Sequence, residues 1–346
     1  MRILVNDIAA SQGGALSVLQ DFYSYIANND KDNEWIFLLS DNYIKETENI
    51  KIVVKNRNKK WINRLIYDLI GWKRTIEKYN PDVIFSLQNT IYAFCKYPQV
   101  LYVHQPLPFQ KEKRYSILKK DERVFAIYQF LIGAIIKWSV KRADRVIVQT
   151  QWMKNALKKI AKKKAIYKIN PNIPEVCITN EKRWENNRFI YPTSDVIYKN
   201  NECIYKACEK LYDEGYLCKV EMTLEQNNED KKNIEFIGKI PRKSIWEKYN
   251  EGTLIFPSYI ETFGLPLAEA RSCGTVILAA DTEFAREILQ NYRNAYFFNP
   301  FDSGKLTVLM KKVISGEITK KEVKEEKSKQ NTWEIVVDLI EECVKY

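Results

Sequence analysis

The feature that most limits what this chain can fold into is an alternation of short apolar runs with amphipathic stretches, repeated along nearly its whole length. RILVND (2–7), EWIFLLS (34–40), DVIFSL (82–87), QVLYVHQ (99–105) and DRVIVQT (144–150) read as buried strands. Between them, residues 15–26 set Leu16, Leu19, Phe22, Tyr23 and Ile26 at helical spacing, and WINRLIYDLIGWKRTIEKY (61–79) is periodic in the same way. Strands that alternate with helices over such a length build a parallel, doubly wound sheet.

The alternation breaks once, at NPNIPEVCITNEKRWENNR (170–188), where two prolines sit among asparagines and charges. It then restarts with RFIYPT, a helix over 200–214, CKVEMTL, IEFIGK, a helix over 242–249, TLIFPS, LPLAEARSCG and TVILAAD. A chain of 346 residues exceeds what one core supports. The expectation is two Rossmann-like α/β domains, 1–172 and 188–330, joined by a linker at 173–187, with a ligand site in the cleft between them. A last helical segment, 331–346, is left unplaced by the sequence, packing back on the N-terminal domain being one arrangement.

Seven cysteines, odd in number and without a C-x-x-C pair, fit a reduced compartment, and MRILVNDIAASQGG lacks the zones of a signal peptide. A cytoplasmic chain is expected. The longest mostly apolar stretch, 124–140, contains Gln129 and Lys137 and reads as a buried or membrane-surface helix, short of the roughly 20 residues that span a bilayer. The net charge of +11 is uneven: residues 51–80 hold nine Lys/Arg against two acids and residues 111–165 sixteen against four. The positive field therefore lies in the N-terminal half.

The segment GTLIFPSYIETFGLPLAEARSCGTVILAAD (252–281) carries the most chemistry. A strand ends at Pro257 and Ser258, a loop runs to Gly264, Pro266 stands in the first helical turn and Gly274 closes the helix. A helix then begins at the carboxyl edge of a parallel sheet, where ligands bind and where its free amides favour phosphate. Two carboxylates, Glu261 and Glu269, flank that turn and suit hydroxyl groups better than phosphates. Taken singly, each is better read as an ordinary loop or surface charge.

Together with their surroundings they resemble the signature of the family 4 retaining glycosyltransferases of GT-B architecture, the type that builds bacterial surface polysaccharide. ETFGLPLAEA holds Glu, seven residues, Glu, with F-G-L-P between. The resemblance runs upstream through IEFIGK and FPS and downstream through SCGTVILAAD and AREIL. In the N-terminal half it is carried by the Gly-Gly loop, YVHQPLPF and RADRVIVQTQWMKNAL.

The resemblance implies roles for particular positions. Glu261 would bond the donor sugar beside the reacting carbon and Glu269 would hold the ribose. Thr262 and the backbone at Phe263, Gly264 and Leu265 would contact sugar and phosphates, while Gly13 and Gly14 would let the first loop approach the diphosphate. His104, the only histidine, would face the donor sugar. Relatives often grip the diphosphate with an arginine and a lysine; here Lys199 matches the lysine, but Thr193 and Ser194 stand where the arginine is expected.

No D-x-D pair lies at a strand end with nearby partners and no His/Cys cluster appears, so neither metal nor cofactor is expected, and the donor is a nucleotide diphosphate sugar, UDP-sugar first. The resemblance implies transfer with retention of a hexose or N-acetylhexosamine to a glycan acceptor received by the N-terminal domain. The basic, tryptophan-bearing windows with Trp61, Trp72 and Trp138 suit an anionic membrane face. A polyprenyl-diphosphate-linked acceptor and peripheral attachment inside the cell membrane follow as expectations. Two other readings stay open at this point: a nucleotide-sugar epimerase or hydrolase of the same shape, and a nucleic-acid-binding protein, which leaves the two glutamates unexplained.

Overall fold

A computed structural model describes residues 1–11, 13–56, 63, 66–173, 184–225, 231–323 and 331–344. Trp61 and linker residues 174–183 lie outside the described residues. The chain divides into two compact units, Met1–Asn172 with Lys329–Tyr346, and Ile173–Ser328.

Unit 1 contains a seven-stranded sheet of β1 (Arg2–Asn6), β2 (Glu34–Leu39), β3 (Ile50–Val54), β4 (Val83–Ser86), β5 (Gln99–Val103), β6 (Arg145–Val148) and β7 (Ala165–Lys168). Their order is β3-β2-β1-β4-β5-β6-β7, and every pairing is parallel. Central strands read as unbroken apolar runs because helices cover both faces, as Leu4, Val5, Phe85 and Leu101 illustrate by being wholly buried. The first crossover is α1 (Gly13–Asn29), which begins earlier and ends later than its periodicity suggests and turns Leu19, Phe22 and Ile26 inward.

Two further helices lie on the opposite face of that sheet. One comprises a π-helical turn, Tyr67–Gly71, running into α2 (Lys73–Tyr79); the other is α3 (Arg123–Ile127), a π turn at Tyr128–Ile132, and α4 (Gly133–Arg142). The latter is one helical run of 20 residues, Arg123–Arg142. It is thus longer than the apolar stretch 124–140 indicates, and by length and composition it is long and apolar enough to cross a membrane. Only its polar ends, Arg123 and Lys141–Arg142, lie beyond the apolar stretch. After β6 comes α5 (Gln151–Ile160).

Unit 2 repeats the plan with β8 (Arg188–Tyr191), β9 (Lys219–Met222), β10 (Ile234–Phe236), β11 (Thr253–Phe256), β12 (Ile277–Ala280) and β13 (Ala295–Phe298), ordered β10-β9-β8-β11-β12-β13 and all parallel. Its helices are α6 (Asn201–Asp213), α7 (Arg242–Glu251), α8 (Leu265–Ser272), α9 (Glu283–Ile288) and α10 (Ser303–Ile314). Both sheets are doubly wound. In each the strand order reverses once, between β1 and β4 and between β8 and β11.

The last helix, α11 (Thr332–Glu342), belongs to unit 1. Trp333 is buried among Phe22 and Tyr102, with ring centroids 4.9 and 6.1 Å away, and its indole N–H donates to Asp21 at 2.7 Å. Asn172 ties the helix start to the end of the N-terminal segment, accepting from Thr332 N at 2.9 Å and donating to Asn331 at 2.8 Å. Removing that indole empties a large buried volume, so Trp333→Ala should lower the stability of unit 1 by about 3–5 kcal/mol. A urea midpoint within error of the parent protein would show that α11 is not part of the core.

Candidate active site

At the reversal point of unit 2, β8 and β11 lie side by side and their following loops diverge over the carboxyl edge of the sheet. The loop after β8 passes through Thr193 and Ser194 to a short 3₁₀ turn, Ile197–Lys199. Asn200 then adopts φ 59° and bonds the carbonyls of Pro257 and Pro300 at 3.2 and 2.7 Å. Those bonds hold the start of α6 against the loops that leave β11 and β13. Tyr191 Oη donates to the Lys199 carbonyl at 2.7 Å from inside the sheet.

This scaffold brings three functional groups to one atom. Lys199 Nζ lies 2.5 Å from Glu261 Oε1, and Ser258 Oγ donates to the same oxygen at 3.0 Å. Both partners of the ion pair keep a little under a fifth of their side-chain surface exposed. The pair is therefore only partly shielded, and it stands at the mouth of the sheet rather than in its core. Burial, with a smaller contribution from the charge of Glu261, pushes the phenol of Tyr198 upward.

Thr193 and Ser194 do not supply a second cation, and their bonds are turned inward. Thr193 N donates to Thr223 Oγ1 at 2.7 Å, Thr193 Oγ1 bonds Asn201 Oδ1 at 2.9 Å, and the Ser194 carbonyl accepts from Asn201 at 3.1 Å. They shape the loop that presents Lys199.

The loop after β11 ends at Gly264, whose φ of 85° only glycine adopts without strain. A Cβ there would meet the Leu267 side chain at 3.3 Å. Phe263 is buried and Pro266 stands in the first turn of α8, where a missing N–H costs nothing. Thr262 and Leu265 flank that glycine, and the helix opens toward the edge that carries Glu261.

Glu269 lies one turn further along α8 and is buried, with 6% exposure, so it is not a surface helix residue. Burial raises its carboxyl above the usual range, and the guanidinium of Arg242 opposes that rise. Arg242 Nε donates to Glu269 Oε1 at 2.6 Å, and its guanidinium carbon sits 5.7 Å from the centroid of the Trp246 ring. Sequence reasoning missed Arg242. Its signal was a cation pair, Arg242–Lys243, in the first turn of a helix, where the dipole favours anions.

In unit 1, Gly13 opens α1 with φ 61°, whereas Gly14 is helical, and a Cβ on either would meet nothing within 4 Å. Glycine weakens a helix by roughly 0.5–1 kcal/mol relative to alanine. The fold itself gives no reason for Gly14. His104 follows β5; its backbone N–H donates to Asn89 Oδ1 at 2.7 Å, and its imidazole Nδ1 is buried without a protein partner. Burial lowers its pKa from 6.5 to about 4, so the imidazole is neutral at physiological pH.

Two family models match this arrangement: Glycosyltransferase Family 4 over residues 13–170 and Glycosyl transferases group 1 over residues 185–330. The chain belongs to the family 4 glycosyltransferases. No curated protein matches it in sequence.

Solved structures share the fold of this glycosyltransferase at low identity. Sucrose-phosphate synthase from Thermosynechococcus elongatus superposes with a TM-score of 0.68 at 15% identity, over 99% of this chain and 96% of the other. Anabaena HepE in complex with UDP-glucose gives 0.62 at 14%, over 100% and 98%. The lipopolysaccharide outer core galactosyltransferase WaaB gives 0.60 at 14%, over 100% and 97%. The architecture is GT-B.

The sign of the His104 shift yields a test on the glycosyltransferase. Its folded pKa lies below the unfolded value, so between pH 6.5 and about 4 the unfolded chain binds the proton and stability falls with pH. Denaturant midpoints across that window should fall less steeply in His104→Gln than in the parent protein. Parallel pH profiles would mean that the imidazole is not held neutral by burial.

Proposed function

We propose that this glycosyltransferase moves a hexose or N-acetylhexosamine from a nucleotide diphosphate sugar, UDP-sugar in the first instance, to a lipid-linked glycan acceptor. The anomeric configuration is retained and no metal takes part. The observation that carries the reading is the convergence of Lys199, Ser258 and Glu261 at the point where the strand order of unit 2 reverses. Ligands of open parallel sheets bind at such points.

The residues divide the work by charge. The free amides opening α8 at Phe263, Gly264 and Leu265 suit a diphosphate, and Lys199 adds a side-chain cation there. Binding such a group draws Lys199 toward phosphate and releases Glu261 to the sugar. The acceptor hydroxyl then attacks the anomeric carbon on the face the nucleotide leaves. As the new C–O bond forms the C–O bond to phosphate breaks, and the departing phosphate oxygen takes the hydroxyl proton. Glu261 offsets the positive charge that develops on the ring, as carboxylates do in glycoside hydrolysis.

Glu269 receives the ribose hydroxyls with Arg242 orienting its carboxylate. Gly13 and Gly14 leave room for the diphosphate beside the first loop, which accounts for a helical glycine that the fold does not require. A neutral His104 serves as hydrogen-bond partner to a donor hydroxyl. The complex of HepE with UDP-glucose, a protein of the same fold, supports the choice of UDP-sugar. Surface polysaccharide synthesis is the setting that this reading implies, on the cytoplasmic side of the membrane.

Glu261→Gln should lower transfer by about 10²–10³-fold with the thermal midpoint nearly unchanged, the size expected when one group facing developing charge is lost. Turnover within tenfold of the parent enzyme refutes the assigned role. Glu269→Ala should mainly weaken donor affinity, read as a smaller thermal shift with UDP, because a ribose contact is present in ground and transition states alike. Transfer should persist in EDTA; a loss that Mg²⁺ or Mn²⁺ restores would overturn the metal-free mechanism. Product formation that needs no acceptor would turn the reading toward an epimerase or hydrolase.

A further inference from the structure

Unit 1 exposes apolar side chains where its fold has every means to bury them. Residues 110–122 form a loop tied at many points: Glu122 accepts from Ser116 N at 2.9 Å and pairs with Lys113 at 3.0 Å and Lys119 at 3.7 Å. Gln129 accepts from Tyr115 N at 2.9 Å and donates to the Lys113 carbonyl at 2.9 Å, while Tyr115 itself is buried. Arg123 Nε donates to the Ile117 carbonyl at 3.1 Å. Yet this well-fastened loop holds Ile117 at 57% and Leu118 at 91% exposure.

The helical run that follows continues the same character, with Val124, Phe130 and Leu131 exposed. The π turn before α2 leaves Leu69 and Ile70 exposed, as is Ile66 just before it, and Phe94 stands at 95%. Phe94 lies in a loop bonded to both helices: Ala93 N donates to the Asp68 carbonyl at 3.0 Å and Ile91 N to Ser139 Oγ at 3.3 Å. Around these apolar tips, residues 111–123 carry Lys111, Lys113, Arg114, Lys119, Lys120 and Arg123 against Glu112, Asp121 and Glu122. Of the three acids Glu122 is buried in its ion pairs.

We propose that unit 1 binds an anionic phospholipid surface through Ile117, Leu118 and the exposed side of Arg123–Ile132, with the apolar tips entering the interface and the lysines and arginines meeting headgroup phosphates. Apolar tips ringed by cations fit the acyl boundary of such a bilayer. A second copy of this chain would set like charges against each other. The run Arg123–Arg142 lies along the membrane and does not cross it. Its other side supplies Ile136 and Val140 to a core shared with Leu101, Val103, Val146 and Val148, and insertion would strip the sheet of that cover.

The inference deepens the lipid-linked-acceptor reading and rests on it, and it adds that attachment is partly apolar rather than purely ionic. Cosedimentation with vesicles of phosphatidylcholine, with and without phosphatidylglycerol, at about 150 mM and about 500 mM NaCl tests it. The parent protein should pellet with the anionic vesicles and keep a measurable part of that binding at the higher salt. Leu118→Glu, alone and with Ile117→Glu, should weaken partitioning about tenfold or more at both salts.

The variants' thermal midpoints and their stabilisation by UDP, measured without vesicles, check that fold and donor site persist. Failure of the parent protein to pellet, or unchanged partitioning of Leu118→Glu, overturns the surface. So does a variant that alters the sedimentation mass of the free protein instead of vesicle binding, which would assign the patch to self-association. Lack of stabilisation by UDP in the parent protein bears on the donor site alone.

Discussion

Parallel strands cannot be joined by tight turns, so each must be reached by a crossover, and the crossover has one hand. Winding outward from a central strand in both directions therefore leaves a point where two neighbouring loops run apart. In unit 2 that point falls between β8 and β11, and the groups with chemistry hang from the two diverging loops. Lys199 comes from one and Ser258 and Glu261 from the other. The bonds of Asn200 to the carbonyls of Pro257 and Pro300 show how little else is needed to bring them together.

Both glutamates of the signature rest against a cation before any substrate arrives, Glu261 against Lys199 and Glu269 against Arg242. Removing one partner from a shielded pair costs more than the pair itself contributes, since the other charge is left behind. Each carboxylate is thus aimed, while the exposed flank of each cation leaves it able to change partners. The two pairs differ in depth. Glu269 is nearly enclosed and feels its burial, whereas Glu261 stands at the sheet edge.

How far the sequence discloses this depends on burial. The central strands declare themselves as apolar runs, because helices cover both their faces. β3, β7 and β13, absent from the sequence reading, are all edge strands. β3 and β7 mix buried, partly buried and exposed positions and β13 is mostly partly buried, and short lysine-bearing stretches such as IKIVV and AIYK resemble loops as much as strands. The signature block was legible because Gly264, Pro266 and Gly274 each mark a backbone event. The partners of its glutamates were not, since Arg242 lies 27 residues from Glu269 and Lys199 lies 62 from Glu261. α1 runs past both ends of its periodic segment because two glycines open it and Ala27, Asn28 and Asn29 close it, none of which extends the apolar pattern.

Membership of α11 in unit 1 has a consequence for how the protein is made. A ribosome releases the whole of unit 2 before residues 332–342 emerge, so during that interval the face formed by Phe22, Phe85 and Tyr102 lacks its covering indole. Unit 2 has all its strands in one continuous stretch and is able to close first, although it is synthesised second. The nascent N-terminal half carries an unfinished aromatic surface through translation of the other half. Its maturation is a long-range event, timed by the arrival of the final helix.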